Sequence, residues 1–324
     1  CSAKTNLMSE IAKKIIDEIQ SAIDGFNNAM PGVQRKMSKE VELMLKDIEL
    51  DSTGKVKPSV NNIRLVAKIK GRLDTLFRES GYTKSVSEYL NAFGEITNLQ
   101  NQYFREIESS FKPNPLLKEI RNQSVQATIE SLTGAGISSN VTKMLTDVLQ
   151  RNITTGANYT DLLAQVKDRL VNSETGDGTL QRYAKQVTTD ALNQYSAQYI
   201  NAVSNDLGLK WYMYTGALIE TSRTLCEACV KKRYIHAAEL PDIIKGDFPE
   251  FKNLGGKISD KTGLPLGMIA ETTAENFHVY RGGHNCNHQL LPVSEASVPK
   301  AIRIAVYEKY GIAHKDGFAL KNRN

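Results

Sequence analysis

Three patterns in this chain predict a mainly α protein, with an extended helical N-terminal arm and a small C-terminal α+β module stapled by a Cys/His zinc site. Apolar residues recur at three- and four-residue spacing through the first two hundred positions, as amphipathic helices require. Near Leu209 that periodicity gives way to Lys210-Trp-Tyr-Met-Tyr-Thr-Gly216, whose aromatic enrichment reads as a strand. Cys226-Glu-Ala-Cys229 and His284-Asn-Cys286-Asn-His288 then gather three of the four cysteines and two of the five histidines at metal-ligand spacing.

The helices follow in order. Ile11, Ile15, Ile16, Ile19, Ala22, Ile23 and Phe26 form the face of the first, which Pro31-Gly32 is expected to end. A second carries Val41, Met44, Leu45 and Ile48 and stops at Asp51-Ser-Thr-Gly54; a third presents Ile63, Val66, Ile69, Leu73, Leu76 and Phe77 up to a break at Gly81. The fourth runs from Val86 through Tyr89, Phe93, Ile96, Leu99, Tyr103 and Ile107 to Phe111, where Pro113 and Pro115 forbid continuation. Shorter helices are expected over 116–132, 139–152, 160–171 and 180–206, with Ser139 and Thr160 as N-caps. Gly134-Ala-Gly136 is a turn, since it lacks the Gly-Lys and the preceding strand of a phosphate loop. These stripes read as core, and their length would also let them serve partner surfaces.

Gln289-Leu-Leu-Pro-Val293 is a candidate partner strand for Trp211–Thr215, and pairing the two would bring the Cys/His clusters together. Between the clusters, 241–275 is rich in Gly, Pro, Asp and Lys and is expected to be an irregular exposed insertion. The resulting organisation is a helical arm over 1–112, a helical domain over 113–207, a zinc-knuckle α+β module over 208–296, and a C-terminal helix and tail over 297–324.

A tetrahedral Zn²⁺ takes four N or S ligands, commonly from two short segments that each supply two. Held this way the metal orders a loop-rich module and is structural. A redox dithiol is the weaker reading of C-x2-C, because no βαβ context surrounds it. Buried thiols with a hydrogen-bonded histidine, or a disulfide, are the other readings of the same residues. At 324 residues the chain exceeds one ordinary domain. A net charge of +5 permits contact with DNA without implying it. No apolar run approaches the ~20 residues of a membrane span, and no signal-peptide pattern is present. The chain opens on Cys1, which fits trimming, proteolytic maturation or the start of a mature lipoprotein.

Trp211-Tyr-Met-Tyr-Thr-Gly-Ala-Leu-Ile-Glu220, followed by Thr221-Ser-Arg-Thr-Leu-Cys226-Glu-Ala-Cys229 and later Val279-Tyr-Arg-Gly-Gly-His-Asn-Cys-Asn-His-Gln-Leu-Leu-Pro-Val293, resembles the C-terminal module of phage head morphogenesis proteins, the minor head proteins similar to protein F of phage Mu. In that family a Trp-containing strand leads to an acidic residue, a Ser/Thr-Arg pair and a Cys. After a variable loop, a Gly-Gly-x-Asn-Cys-Arg-His type of segment enters a Pro-containing strand. The resemblance spans about 120–295 and leaves the first 110 residues uncovered. It implies Cys226, Cys229, Cys286 and His288 as zinc ligands, with Arg223 and His284 in support. His284 falls at a variable position, and Asn287 stands where the family commonly has Arg. Arg223, with a five-donor fork, is suited to hydrogen-bond carbonyls across the two clusters.

The same resemblance implies a non-enzymatic virion protein of a tailed phage, near the portal vertex and in the host cytoplasm during assembly. It would act in head assembly and DNA packaging or ejection. Its expected partners are a portal or neck protein and packaged DNA, with several copies around the vertex. The alternative is a zinc-dependent, treble-clef-like nuclease with His236, His278 or His284 as general base and Lys231, Lys232 and Arg233 lining a DNA groove.

Overall fold

The structure is a computed structural model describing residues 2–171 and 177–313. Cys1, and the tail of the 297–324 segment from 314 onward, lie outside the described residues. The chain is mainly helical with one small antiparallel sheet. It forms two units that interleave along the sequence. One takes residues 1–18, 95–121 and 192–324; the other takes 19–94 and 122–191.

The wholly helical unit shows where local signals yield to burial. A single helix α1 (Ser2–Leu45) runs straight through Pro31, so the break expected at Pro31-Gly32 is absent and the first two expected helices are one. Proline removes one helical hydrogen bond and costs about 3 kcal/mol. Met30, Val33, Met37, Val41 and Leu45 are all buried at helical spacing around it. Each such side chain contributes about 1.5–3 kcal/mol, and they share one face only if the helix continues. Ser59 caps α2 (Val60–Glu79) by accepting from Asn62 N. Gly81, at φ 95°, turns the chain into α3 (Tyr82–Ile107). Phe26 meets Tyr82 and Tyr89 edge-on, and the tyrosine hydroxyls donate to Leu132 O at 2.9 Å and Thr188 O at 2.6 Å.

Pro115 opens α4 (Pro115–Thr133). After the short α5 (Ala135–Ile137), Ser139 sits inside a π-helical turn, Ser138–Thr142, that feeds α6 (Lys143–Thr155) without a side-chain cap. The N-cap of α7 (Tyr159–Leu170) is Asn158, so Thr160 lies in the first turn. Both caps expected from the sequence are therefore displaced. Tyr183, on α8 (Thr179–Asp206), donates to Ser131 O at 2.9 Å across Gly136, where any side chain would collide with it.

The other unit holds the sheet, in the order β2-β1-β3. Strand β1 (Trp211–Thr215) pairs antiparallel with β3 (Gln289–Val293) in the register Trp211↔Val293 to Thr215↔Gln289, the pairing expected from the sequence. Between them, α9 (Thr224–Lys232) leads into β2 (Tyr234–His236), a third strand on the other side of β1. Pro292 sits on edge strand β3, where a missing N–H costs no ladder bond, and Tyr103 on α3 donates to its carbonyl at 2.7 Å.

Strand alternation splits the aromatic run. Tyr212 and Tyr214 join a cluster with Leu225, Cys229, Ile235 and Phe277, while Trp211 joins Val293, Val306 and Tyr307, donating from its indole to Tyr307 Oη at 3.0 Å. Residues 241–275 are less exposed than expected. Short helices α10 (Leu240–Ile244) and α11 (Pro249–Asn253) bury Ile243, Phe248 and Phe251, and Gly246 and Gly256 press on the Phe251 ring. A last short turn α12 (Phe277–Tyr280) precedes the second cluster, and α13 (Lys300–Tyr310) follows β3.

Candidate metal centre

Cys226 lies in the first turn of α9, and Cys286 and His288 lie in the segment that enters β3. The β1–β3 ladder sets where that segment ends, so pairing the strands draws the two clusters together. Cys226 Sγ stands 3.9 Å from Cys286 Sγ, and Cys286 Sγ stands 3.7 Å from His288 Nδ1. All three side chains are buried. Among the described residues this is the one group of three or more Cys, His, Asp or Glu ligand atoms close enough to share an ion.

A tetrahedral zinc with Zn–S near 2.3 Å and Zn–N near 2.05 Å implies S–S edges of about 3.8 Å and S–N edges of about 3.5 Å. The observed separations fit that polyhedron. They exclude a Cys226–Cys286 disulfide, whose sulfurs would be bonded at about 2.05 Å; Cys226, Cys229 and Cys286, the cysteines among the described residues, are all free. Glycines make the close approach possible. A side chain at Gly282 would collide with Cys226 Sγ and reach within 3.1 Å of Cys286 Sγ, and one at Gly216 would meet the His288 ring at 2.8 Å.

Cys229 does not join the group. The C-x2-C segment is helical rather than a knuckle, and Cys229 is fully buried in the apolar cluster with Leu225, Ala228 and Phe251. Burial, with Cys286 second, raises its thiol pKa, as suits a small apolar side chain. The remaining pair is polarised. The hydrogen bond from Cys226, then His288 and Arg281, hold Cys286 well below the usual thiol range, while the bond to Cys286 and burial push Cys226 up.

Arg223, at the N-cap of α9, donates from Nη2 to His284 O at 2.8 Å, tying the two clusters together as its fork suggested. The side chain at Gly267 is missing where the Arg223 stem crosses. His284 is exposed and contributes this carbonyl, whereas His288 is the buried ring at the group. Asn287 lies 3.4 Å from the Asn193 amide, a hydrogen bond in the place of any ion pair an Arg would make.

Two residues went unnoticed in the sequence. Tyr214 Oη donates to Cys226 Sγ at 3.6 Å and lies 3.9 Å from Cys286 Sγ, with its ring stacked on His288. Arg281 is buried at φ 40° and donates to His278 O at 2.9 Å and Asn193 O at 3.3 Å. Strand alternation places Tyr214 on the α9 face; no sequence signal marks Arg281 as buried.

The histidines of the nuclease reading are dispersed. His236 caps the turn after β2 through Nδ1 and meets the Trp211 ring edge-on at 4.9 Å. His278 packs on Tyr212 at 4.5 Å, and burial with Arg281 nearby pushes it down to about 4. Lys232 pairs with nearly buried Glu239 at 2.7 Å, and Arg233 lies over the Tyr234 ring. No protein-family model, curated protein or solved structure matches this chain.

Proposed function

We propose that Cys226, Cys286 and His288 hold a structural Zn²⁺, and that the chain is a minor head protein of a tailed phage, associated with a portal or neck protein. The observation that carries the metal reading is the convergence of ligands 60 residues apart at one buried point with tetrahedral edge lengths. The sheet has strands of only five, three and five residues, and long irregular connections join them. A metal joining α9 to the entry of β3 would tie those connections to the sheet, and its ligands are buried away from solvent. When bound, the ion would neutralise thiolate charge and couple its own binding energy to folding.

The head-protein reading is supported by the order and spacing of the motif halves that meet at this centre. Location near the portal vertex in several copies, a part in assembly or ejection, and contact with packaged DNA follow from the same resemblance. The net charge of +5 tolerates that neighbour. The helical stripes themselves are occupied as core, with Ile15, Met30, Met37 and Ile96 fully buried. A portal contact would use exposed apolar residues such as Val60 and Leu116 instead, at 66% and 58% exposure. The test is electron cryo-microscopy of particles assembled with a tagged chain. Density at the portal vertex is expected, and tag spread through the cytoplasm with none in particles refutes it. Incubating purified protein with DNA and Mg²⁺ separates the nuclease reading, since a structural centre leaves the DNA intact.

A further inference from the structure

We propose that the Tyr214 hydroxyl oxygen, and not Cys229, is the fourth ligand of this centre. The inference rests on the metal reading above and adds a ligand to it. Tyr214 Oη lies 3.6 Å from Cys226 Sγ and 3.9 Å from Cys286 Sγ; the sulfurs are 3.9 Å apart, and Cys286 Sγ is 3.7 Å from His288 Nδ1. Around one tetrahedral ion, S–S edges are about 3.8 Å and S–O or S–N edges about 3.5 Å. Four of the six edges of a Cys₂-His-Tyr tetrahedron therefore stand within about 0.4 Å of their expected lengths. Tyr214 is held there by β1, with Leu290 as its register partner on one side and its N–H bonded to Arg233 O at 2.7 Å on the other. Cys229 shares the apolar cluster with Tyr214, but its sulfur lies outside the ligand group.

Charge gives a second, independent argument. Arg281 is 2% exposed, and its described donors reach carbonyls, with Nε unpartnered and no carboxylate paired to it among the described residues. A guanidinium this deeply buried costs several kcal/mol unless negative charge stands near it. It stands beside the centre, because the next residue, Gly282, packs on both sulfurs. Two thiolates and a neutral imidazole around a divalent cation sum to zero, whereas a third anionic ligand leaves one negative charge to match Arg281. That requirement disfavours water at the fourth position, and the distances select Tyr214 as the anion. On binding, the hydrated ion exchanges its waters for ligands, and the cysteine and tyrosine protons pass to bulk water.

The full-length protein, purified with its zinc, is read by X-ray absorption at the zinc edge and by the ultraviolet difference on zinc removal. Two sulfurs with two nitrogen or oxygen ligands, plus a tyrosinate band that disappears with the metal, is the expected result. Three sulfurs overturns the proposal in favour of Cys229, and two sulfurs without a tyrosinate band overturns it in favour of water; both leave the metal reading intact. Protein that carries no metal sinks both. Cys229→Ala should keep the wild-type spectrum, and Tyr214→Phe should lose the band and hold zinc about tenfold or more weakly against a chelator. If either variant fails to fold, the wild-type spectra alone decide.

Discussion

Replacing Gly216 by alanine puts a methyl group against the imidazole of His288. The new Cβ would lie 2.8 Å from His288 Cδ2 and 3.0 Å from its Cα, where carbon atoms rest at about 3.5–4.0 Å. Relief therefore needs a movement of about 0.5–1 Å. Metal sites tolerate ligand displacements of about 0.2 Å, so His288 would leave the coordination sphere. Overpacking of this kind costs about 1–3 kcal/mol. The backbone at φ 146° is open to glycine and disfavours alanine by about 1–3 kcal/mol more. The total of roughly 2–6 kcal/mol corresponds to a drop in melting temperature on the order of 10 °C. The assay pairs thermal unfolding with zinc per chain, measured after dialysis against a competing chelator. Full zinc occupancy together with a melting temperature within about one degree of wild type would refute the reasoning, because the glycine would then not be what lets His288 reach the sulfurs.

Cys286→Ser should abolish zinc retention and loosen the sheet, while Cys229→Ala keeps the metal and loses about 1 kcal/mol of packing; elemental analysis with proteolysis checks both. Tyr103→Phe removes the donor to Pro292 O and leaves a buried carbonyl unpaired, at about 1–3 kcal/mol in denaturant unfolding. Gly71→Ala, in the exposed interior of α2 with open space around the new methyl, should stabilise by up to about 1 kcal/mol. His278 is held neutral in the fold at about 4 against 6.5 when unfolded, so its contribution is present above pH 6.5 and is lost as pH falls toward 4. Denaturant unfolding of His278→Gln at pH 7 and pH 5 should show a smaller decline than wild type, by up to about 2 kcal/mol.

What was legible in the chain was what local rules decide. The helical stripes, the pairing of Trp211–Thr215 with Gln289–Val293, and the meeting of the Cys/His clusters follow from periodicity and strand chemistry. Pro31 was misread because a local cost of one hydrogen bond was set against a stripe of buried side chains spanning both sides of it. Strand β2 is three residues long, too short to show alternation. The C-x2-C spacing fits a knuckle and a helical turn equally, and which one forms decides whether Cys229 meets a metal or the apolar cluster. Arg281 illustrates the remaining limit: nothing in its sequence neighbours distinguishes a surface arginine from one buried beside the Cys/His group.

The interleaving of the two units has a consequence for synthesis. Every segment of the helical unit has been synthesised once Ala191 is made, whereas the unit holding the Cys/His group needs residues 1–18 and 95–121 to wait for residues from Leu192 onward. At about 5–20 residues per second that wait is on the order of ten seconds, with Ile11 and Ile15 lacking their final neighbours throughout. The nascent chain thus carries a half-finished hydrophobic surface on these earlier segments, of the kind holdase chaperones bind. His288 is made after both cysteines of the group, so an ion held by all three would be enclosed only once β3 exists, as a latch on the fold and not its nucleus.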